Sequence, residues 1–130
     1  MRKLLVLWLV GWALFGFPWT TFTLRPRFSR VNLLPFRWAR RRDHVLNFAY
    51  YVPLGLIGVG LGLPSAIVAA GALLLSAVTE FAQIFSIDRY PSTTDLLLNT
   101  AGAVVGIAIA HIFGQRFRDR QDTDATHAIE

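Results

Sequence analysis

The stretch SAIVAAGALLLSAVTEFAQIFSI, residues 65–87, decides the fold of this chain. Its only ionisable side chain is Glu80, and it has the length of about 20 residues that an apolar helix needs to cross a bilayer. Three further runs have a similar length and few charges: residues 4–22, 44–63 and 95–113. We therefore predict an all-α integral membrane protein, built as a bundle of four transmembrane helices.

The composition supports a bilayer rather than water as the solvent of this bundle. The 130 residues suffice for one domain, and they are 54% hydrophobic and 16% charged, whereas an average soluble domain is about 25% charged. A soluble helical fold needs polar outer faces, which residues 44–113 hardly supply. We predict a membrane domain over residues 1–113 and a charged, loosely ordered tail over 114–130. The absence of cysteine excludes disulfide and thiolate chemistry.

The first apolar run follows Arg2 and Lys3, a start that is also typical of a secretory signal peptide. A signal peptide ends in a small-x-small cleavage site, but Pro18 and Trp19 stand near the end of this run. The pattern therefore favours a retained helix over a cleaved signal.

Residues 23–43 form a basic segment with seven arginines, 25, 27, 30, 37, 40, 41 and 42, and no acidic residue before Asp43. Apolar side chains such as Phe28 and Trp38 are interleaved with them. This mixture predicts a segment in the membrane interface, where the Arg25–Arg42 stretch binds anionic lipid headgroups. A solvated basic loop is the alternative. Next to apolar spans, the sequence pI of about 10.7 indicates lipid rather than nucleic acid as the partner.

Six polar side chains stand at or near the ends of the predicted spans: Asn47, Glu80, Gln83, Arg89, Asp95 and Asn99. In a four-span topology the loops after the first and third spans lie on one side of the membrane. These six side chains therefore share that side, and we predict that they form one polar pocket beside the basic segment. The alternative is that they only hold the helices together, which contributes about 0.6 kcal/mol per hydrogen bond on average.

Glycines continue these polar faces into the helices. Gly102 and Gly106 form a G-x-x-x-G pair, and Gly55 follows Asn47 and Tyr51 on the second span. We predict that these three glycines let neighbouring helices approach closely. The histidines lack metal-ligand spacing, and the sequence predicts neither a metal site nor a cofactor.

Five short motifs follow one another over residues 31–106: Asn32-Leu-Leu-Pro35-Phe36, Asn47 with Pro53-Leu54-Gly55, Glu80-x-x-Gln83, Arg89, and Asp95-Leu-Leu-Leu-Asn99-Thr100-x-Gly102. In this order, on membrane spans, they resemble the VanZ-like family of small membrane proteins, named for a protein associated with resistance to the glycopeptide teicoplanin. Ser92 stands where some relatives carry an aspartate. The resemblance implies a multi-pass protein of the bacterial plasma membrane with a functional polar cluster.

Three functions are compatible with these features. The first is a non-enzymatic envelope protein that alters the access of a glycopeptide-like antibiotic or an envelope lipid to its target. The second is a membrane enzyme acting on a lipid-linked substrate, with Glu80 as acid or base and Arg89 holding a phosphate. The third is an assembly partner or proton-coupled carrier. The sequence shows no nucleophile–base pair and so favours the first. Eight basic residues on the pocket side against five opposite mildly favour a cytoplasmic pocket.

Overall fold

The computed structural model describes residues 1–16, 18, 21–35 and 41–127, without the side chains of residues 15, 16, 41, 42 and 116–127. Over this part the chain is all-α, as predicted, and contains no strand. It forms four α-helices: α1 (Arg2–Gly11), α2 (Arg41–Gly60), α3 (Ser65–Gln83) and α4 (Thr93–His127). The C-terminal residues 128–130 of the predicted tail, like Arg37 and Arg40 of the basic segment, lie outside the described residues.

The first helix is shorter than the predicted run over residues 4–22. It ends at Gly11 and passes into one π-helical turn, Trp12–Gly16. Pro18 follows; a proline has no backbone N–H and disfavours helical geometry in the residue before it. The sequence pattern overestimated this helix because hydropathy continues past the point where the backbone can stay helical. Residues 17, 19 and 20 of the predicted run lie outside the described residues.

The other helix ends also differ from their predicted positions. Helix α3 ends at Gln83, and the Ser86 hydroxyl then accepts the backbone amides of Asp88 and Arg89 at 3.3 and 3.1 Å. This hydroxyl offers those amides an alternative to helical bonds. Helix α4 continues from the predicted end at residue 113 to His127. The helix therefore extends through much of the segment predicted as a loosely ordered tail.

Helices α2 and α4 form the most extensive contact in the bundle, and glycines make it possible. A Cβ atom at Gly102 would overlap the carbonyl oxygen of Phe48. One at Gly106 would overlap that of Val52, and one at Gly55 that of Ala103. The backbones approach too closely for any side chain at these positions. The structure thus places all three predicted packing glycines at the α2–α4 contact.

Two helices of the described residues are long and apolar enough to cross a membrane, Ser65–Gln83 and Thr93–Gln115. Helix α1 has only 10 residues, and α2 begins with the charged sequence Arg41-Arg42-Asp43. The outer surface of α3 carries large exposed apolar side chains, Ile67, Leu74 and Phe81. In water such a surface would be unfavourable. The described residues thus form an all-helical fold in which two helices have the length and hydropathy of a membrane span.

Residues 21–32, which we term the cap segment, lie along the loop between α3 and α4. The amide of Thr23 donates to Phe85 O at 2.6 Å, and that of Asn32 donates to Pro91 O at 2.8 Å. In return, the Ile87 amide donates to Thr21 O at 2.9 Å. Two isolated bridges, Phe22 with Ser86 and Asn32 with Ser92, give the same pairing. The cap segment therefore covers one end of the bundle.

Candidate functional site

A polar cavity of about 1060 Å³ lies beneath the cap segment. It opens between the first turns of α2 and α4 and the last turns of α3. All six residues of the predicted pocket line it: Asn47, Glu80, Gln83, Arg89, Asp95 and Asn99. The structure thus brings all six side chains to one end of the bundle.

Glu80 is held at the cavity wall by the loop that precedes α4. Its Oε2 atom accepts the backbone amide of Ser92 at 2.6 Å. This short bond fixes the side chain and ties the end of α3 to the start of α4. Ser92 thus contributes to the site through its backbone amide. No residue pattern could have indicated that contact.

Asp95 faces the first turn of α2 across the cavity. Its Oδ1 atom lies 3.5 Å from Nδ1 of His44, and both side chains are about one-fifth exposed. His44 lines the cavity with Asp95. Sequence reasoning missed His44 because it considered histidines only as metal ligands. The signal that could have found it is its place in the first turn of α2, close to Asn47.

The inner end of the cavity contains two buried residues with unused hydrogen-bonding atoms. Asn99 is 4% exposed, and its Nδ2 donates to Ser76 Oγ at 2.9 Å. Its Oδ1 atom has no hydrogen-bond partner among the described residues. Tyr51 is 3% exposed; its hydroxyl lies near Trp12, Thr79 and Ser76, but it meets none of the described groups in hydrogen-bonding geometry.

Buried polar atoms without a hydrogen-bond partner point to a binding site because they destabilise the folded protein. A buried polar atom without a partner destabilises a protein by about 1–3 kcal/mol. Tyr51 and Asn99 both line the cavity. The arrangement is therefore suited to a guest that supplies the missing partners, whether a ligand group or water.

Indole and hydroxyl groups shape the wall next to Tyr51. Trp12 Nε1 donates to Thr79 Oγ1 at 3.1 Å, and this hydroxyl donates to Leu75 O at 3.0 Å. The π-helical turn after α1 therefore brings Trp12 into the cavity lining. Tyr50, next to Tyr51 on α2, also lines the cavity. Sequence reasoning did not include these aromatic side chains, since apolar runs contain many similar ones.

Two arginines stand at the outer part of the lining. Arg89 is exposed in the α3–α4 loop, and Arg30 reaches from the cap segment. Arg30 Nη1 donates to Ile87 O at 2.7 Å, and its guanidinium carbon lies 5.1 Å from the centre of the Tyr90 ring. The Tyr90 stacking and the Ile87 carbonyl fix Arg30, whereas Arg89 is the more accessible cation.

The charges of the lining are mixed. Its acidic members outnumber its arginines, four to two: Asp43, Glu80, Asp88 and Asp95 against Arg30 and Arg89. The buried inner end contains the oxygen atoms of Tyr51 and Asn99, whereas the outer end contains Arg89 together with the exposed Asp43 and Asp88. The described residues contain no group of three or more histidine, cysteine or acidic side chains placed to hold a metal ion.

A comparison with protein-family models shows the family to which the chain belongs. The family model described as VanZ/LLP1 matches residues 3–114. The chain belongs to the VanZ/LLP1 family. The resemblance drawn from the five sequence motifs is thereby confirmed, and the match includes every residue that lines the cavity of this VanZ-like chain. No curated protein and no solved structure matches it significantly.

Proposed function

We propose that this VanZ-like chain is a multi-pass protein of the bacterial plasma membrane that binds an envelope ligand in its polar cavity. Binding would change the access of a glycopeptide-like antibiotic, or of an envelope lipid, to its target. The observation that supports the proposal most is the pair of unused buried polar atoms, on Tyr51 and Asn99, at the inner end of a cavity large enough for a headgroup.

The proposal includes four membrane crossings. Helices α3 and α4 meet the length and hydropathy that a span requires. Helix α1 packs against α2, where Trp8 Nε1 donates to Tyr50 O at 2.8 Å. The outward side of α1 carries exposed apolar side chains such as Leu4 and Leu7. A helix pair with such a surface beside two spanning helices is best accommodated within the bilayer.

The cap segment would lie at the lipid headgroups. Arg25 is exposed next to the exposed side chains of Leu24 and Phe28. Apolar side chains inserted below the headgroups, with arginines among the phosphates, are typical of interfacial segments. Each such arginine contributes about 1 kcal/mol of attraction to anionic lipid. We propose that anionic lipid headgroups bind the whole Arg25–Arg42 stretch.

A non-enzymatic role agrees best with the side chains present. The serine and threonine residues that line the cavity are Ser29, Thr79 and Ser92, and the Thr79 hydroxyl already donates to Leu75 O at 3.0 Å. The described serine–histidine pair, Ser65 Oγ with His111 Nε2 at 2.8 Å, links α3 to α4 and contributes nothing to the cavity lining. An activated nucleophile needs such a partner at the reacting group.

A second candidate is a membrane enzyme acting on a lipid-linked substrate. The observation in its favour is Glu80, a carboxylate fixed by Ser92 inside a cavity that also contains Arg89. Glu80 would transfer a proton, and Arg89 would bind a phosphate. Full biological activity of Glu80→Gln would exclude this role, because an amide cannot act as the acid or base.

Deletion and overexpression in the native host test the proposal. We expect glycopeptide susceptibility or the envelope lipid profile to change with the amount of protein. Asn47→Trp, which fills the cavity, should abolish the effect, whereas Ser65→Ala outside the cavity should preserve it. Unchanged susceptibility and lipid profile after both deletion and overexpression would refute the proposal.

A further inference from the structure

We infer that the cavity accepts a zwitterionic headgroup with a primary ammonium, of the phosphoethanolamine type, its ammonium at the inner end and its phosphate at the arginines. The inference rests on the proposed function and specifies the chemistry of its ligand.

The inner end contains acceptors that lack donors. Asn99 Oδ1 is an acceptor only, and the Tyr51 hydroxyl can also accept. The carboxylates of Glu80 and Asp95 line the same cavity. An ammonium group carries three N–H donors and no acceptor. It therefore matches this set better than a hydroxyl or a phosphate, which bring their own acceptor oxygens among carboxylates.

Aromatic rings add to the attraction for a cation. Trp12, Tyr50 and Tyr51 all line the cavity. A cation within about 6 Å of an aromatic ring centre is attracted to the ring face. Rings alone would also accept the quaternary ammonium of a choline headgroup. The unused oxygen atoms distinguish the two headgroups, because a quaternary ammonium has no N–H to donate.

The outer end suits the phosphate that accompanies the ammonium in such a headgroup. Arg89 is exposed, and Arg30 is oriented by Ile87 O and the Tyr90 ring. A simple anion would meet the repulsion of the aspartates in the lining, Asp43, Asp88 and Asp95, and a simple cation would meet that of both arginines. A zwitterion satisfies both ends. The cavity of about 1060 Å³ is ample for this headgroup.

Native mass spectrometry of the purified full-length protein in mild detergent tests the inference. The probes are phosphatidylethanolamine, phosphatidylcholine and phosphatidylglycerol with identical acyl chains, offered at equal concentrations. We expect the part of the retention that Asn47→Trp abolishes, which reports the cavity, to favour phosphatidylethanolamine. Tyr51→Phe should lower this retention about tenfold, as expected for one hydrogen bond to a charged group. Asn99→Leu should act likewise, and Ser65→Ala should leave it unchanged.

The variants also separate this inference from the function it rests on. Equal retention of phosphatidylethanolamine and phosphatidylcholine, lowered for both by Asn47→Trp, would overturn the ammonium inference while leaving a lipid-binding cavity. Preferential retention of phosphatidylglycerol would overturn it too if Asn47→Trp lowers that retention, because the cavity itself would then select an anionic lipid. Phosphatidylglycerol bound by the cap segment is insensitive to Asn47→Trp. Should Asn99→Leu fail to fold, Tyr51→Phe decides, because it removes one oxygen atom and keeps the packing.

Discussion

The backbone amide of Ser92 donates a 2.6 Å hydrogen bond to Oε2 of Glu80, and this bond joins the end of α3 to the start of α4. Glu80 thereby stays within the cavity lining. The Glu80 side chain can therefore act as the hydrogen-bond acceptor for Ser92 and as a proton-transfer group, and substitutions can separate these two roles.

Replacing Glu80 by glutamine or by leucine should have different effects on stability. Glutamine keeps an oxygen for the Ser92 amide, so we expect Glu80→Gln to change the free energy of unfolding little. Leucine removes the acceptor, and Glu80→Leu should destabilise by about 1–3 kcal/mol. Thermal unfolding in detergent measures both. Equal stability of the two variants would show that the Ser92 bond contributes nothing.

Alanine at two helical glycines should have opposite effects. A Cβ at Gly102 would overlap Phe48 O, whereas a Cβ at Gly71 meets nothing within 4 Å. Gly102→Ala should therefore destabilise the bundle by about 1–3 kcal/mol, as overpacking does. Gly71→Ala should be neutral or stabilise it by up to about 1 kcal/mol, because alanine favours helix. Detergent-resistance melting curves of both variants provide the measurement.

The topology of the membrane crossings can be read with reporter fusions. If all four helices cross, a reporter placed after Leu63 lies on the opposite side from one placed after Arg89. Paired reporters, one active only in the cytoplasm and one only outside it, should give opposite signals at these positions. The polarity of the signals also determines which side the cavity faces. Signals of the same polarity at both positions would contradict a crossing by α3.

Charge removal in the cap segment should reduce co-purification of anionic lipid. Arg25→Gln with Arg27→Gln removes two guanidinium groups, each worth about 1 kcal/mol near an anionic surface. At low salt we expect this double variant to retain about thirtyfold less phosphatidylglycerol, and the difference should shrink at high salt. Arg25→Lys with Arg27→Lys is the control and should retain it. Retention that is insensitive to these charges would contradict headgroup binding by the cap segment.

Helix ends were the least predictable part of the fold. Hydropathy predicted a first helix through residue 22, but the α-helix ends at Gly11. Composition predicted a loosely ordered tail after residue 113, but α4 continues to His127. In both cases the hydropathy of a segment indicates whether it prefers lipid or water. Where a helix ends depends instead on local hydrogen bonding and on residues such as Pro18.

The six polar residues of the site could be identified from the sequence because hydropathy and the order of the spans along the chain suffice to find them. A polar side chain in an apolar run is unfavourable unless it faces a partner, and the order of spans assigns each residue to a membrane side. Such reasoning does not reach Tyr51 or His44. Aromatic and histidine side chains are unremarkable by type, and only their neighbours show what they contribute.

The sequence by itself determined that this chain is all-α, that it belongs with VanZ-like membrane proteins, and which polar side chains share one end of the bundle. These properties depend on the order and hydropathy of residues along the chain. Only the tertiary structure decided that the cap segment covers the α3–α4 loop and that Ser92 holds Glu80. It also decided that the oxygen atoms of Tyr51 and Asn99 find no hydrogen-bond partner in the part of the chain that the structure describes. Each of these features depends on contacts between residues that are far apart in sequence. Whether such contacts form depends on how closely the helices pack, which the order of residues does not reveal.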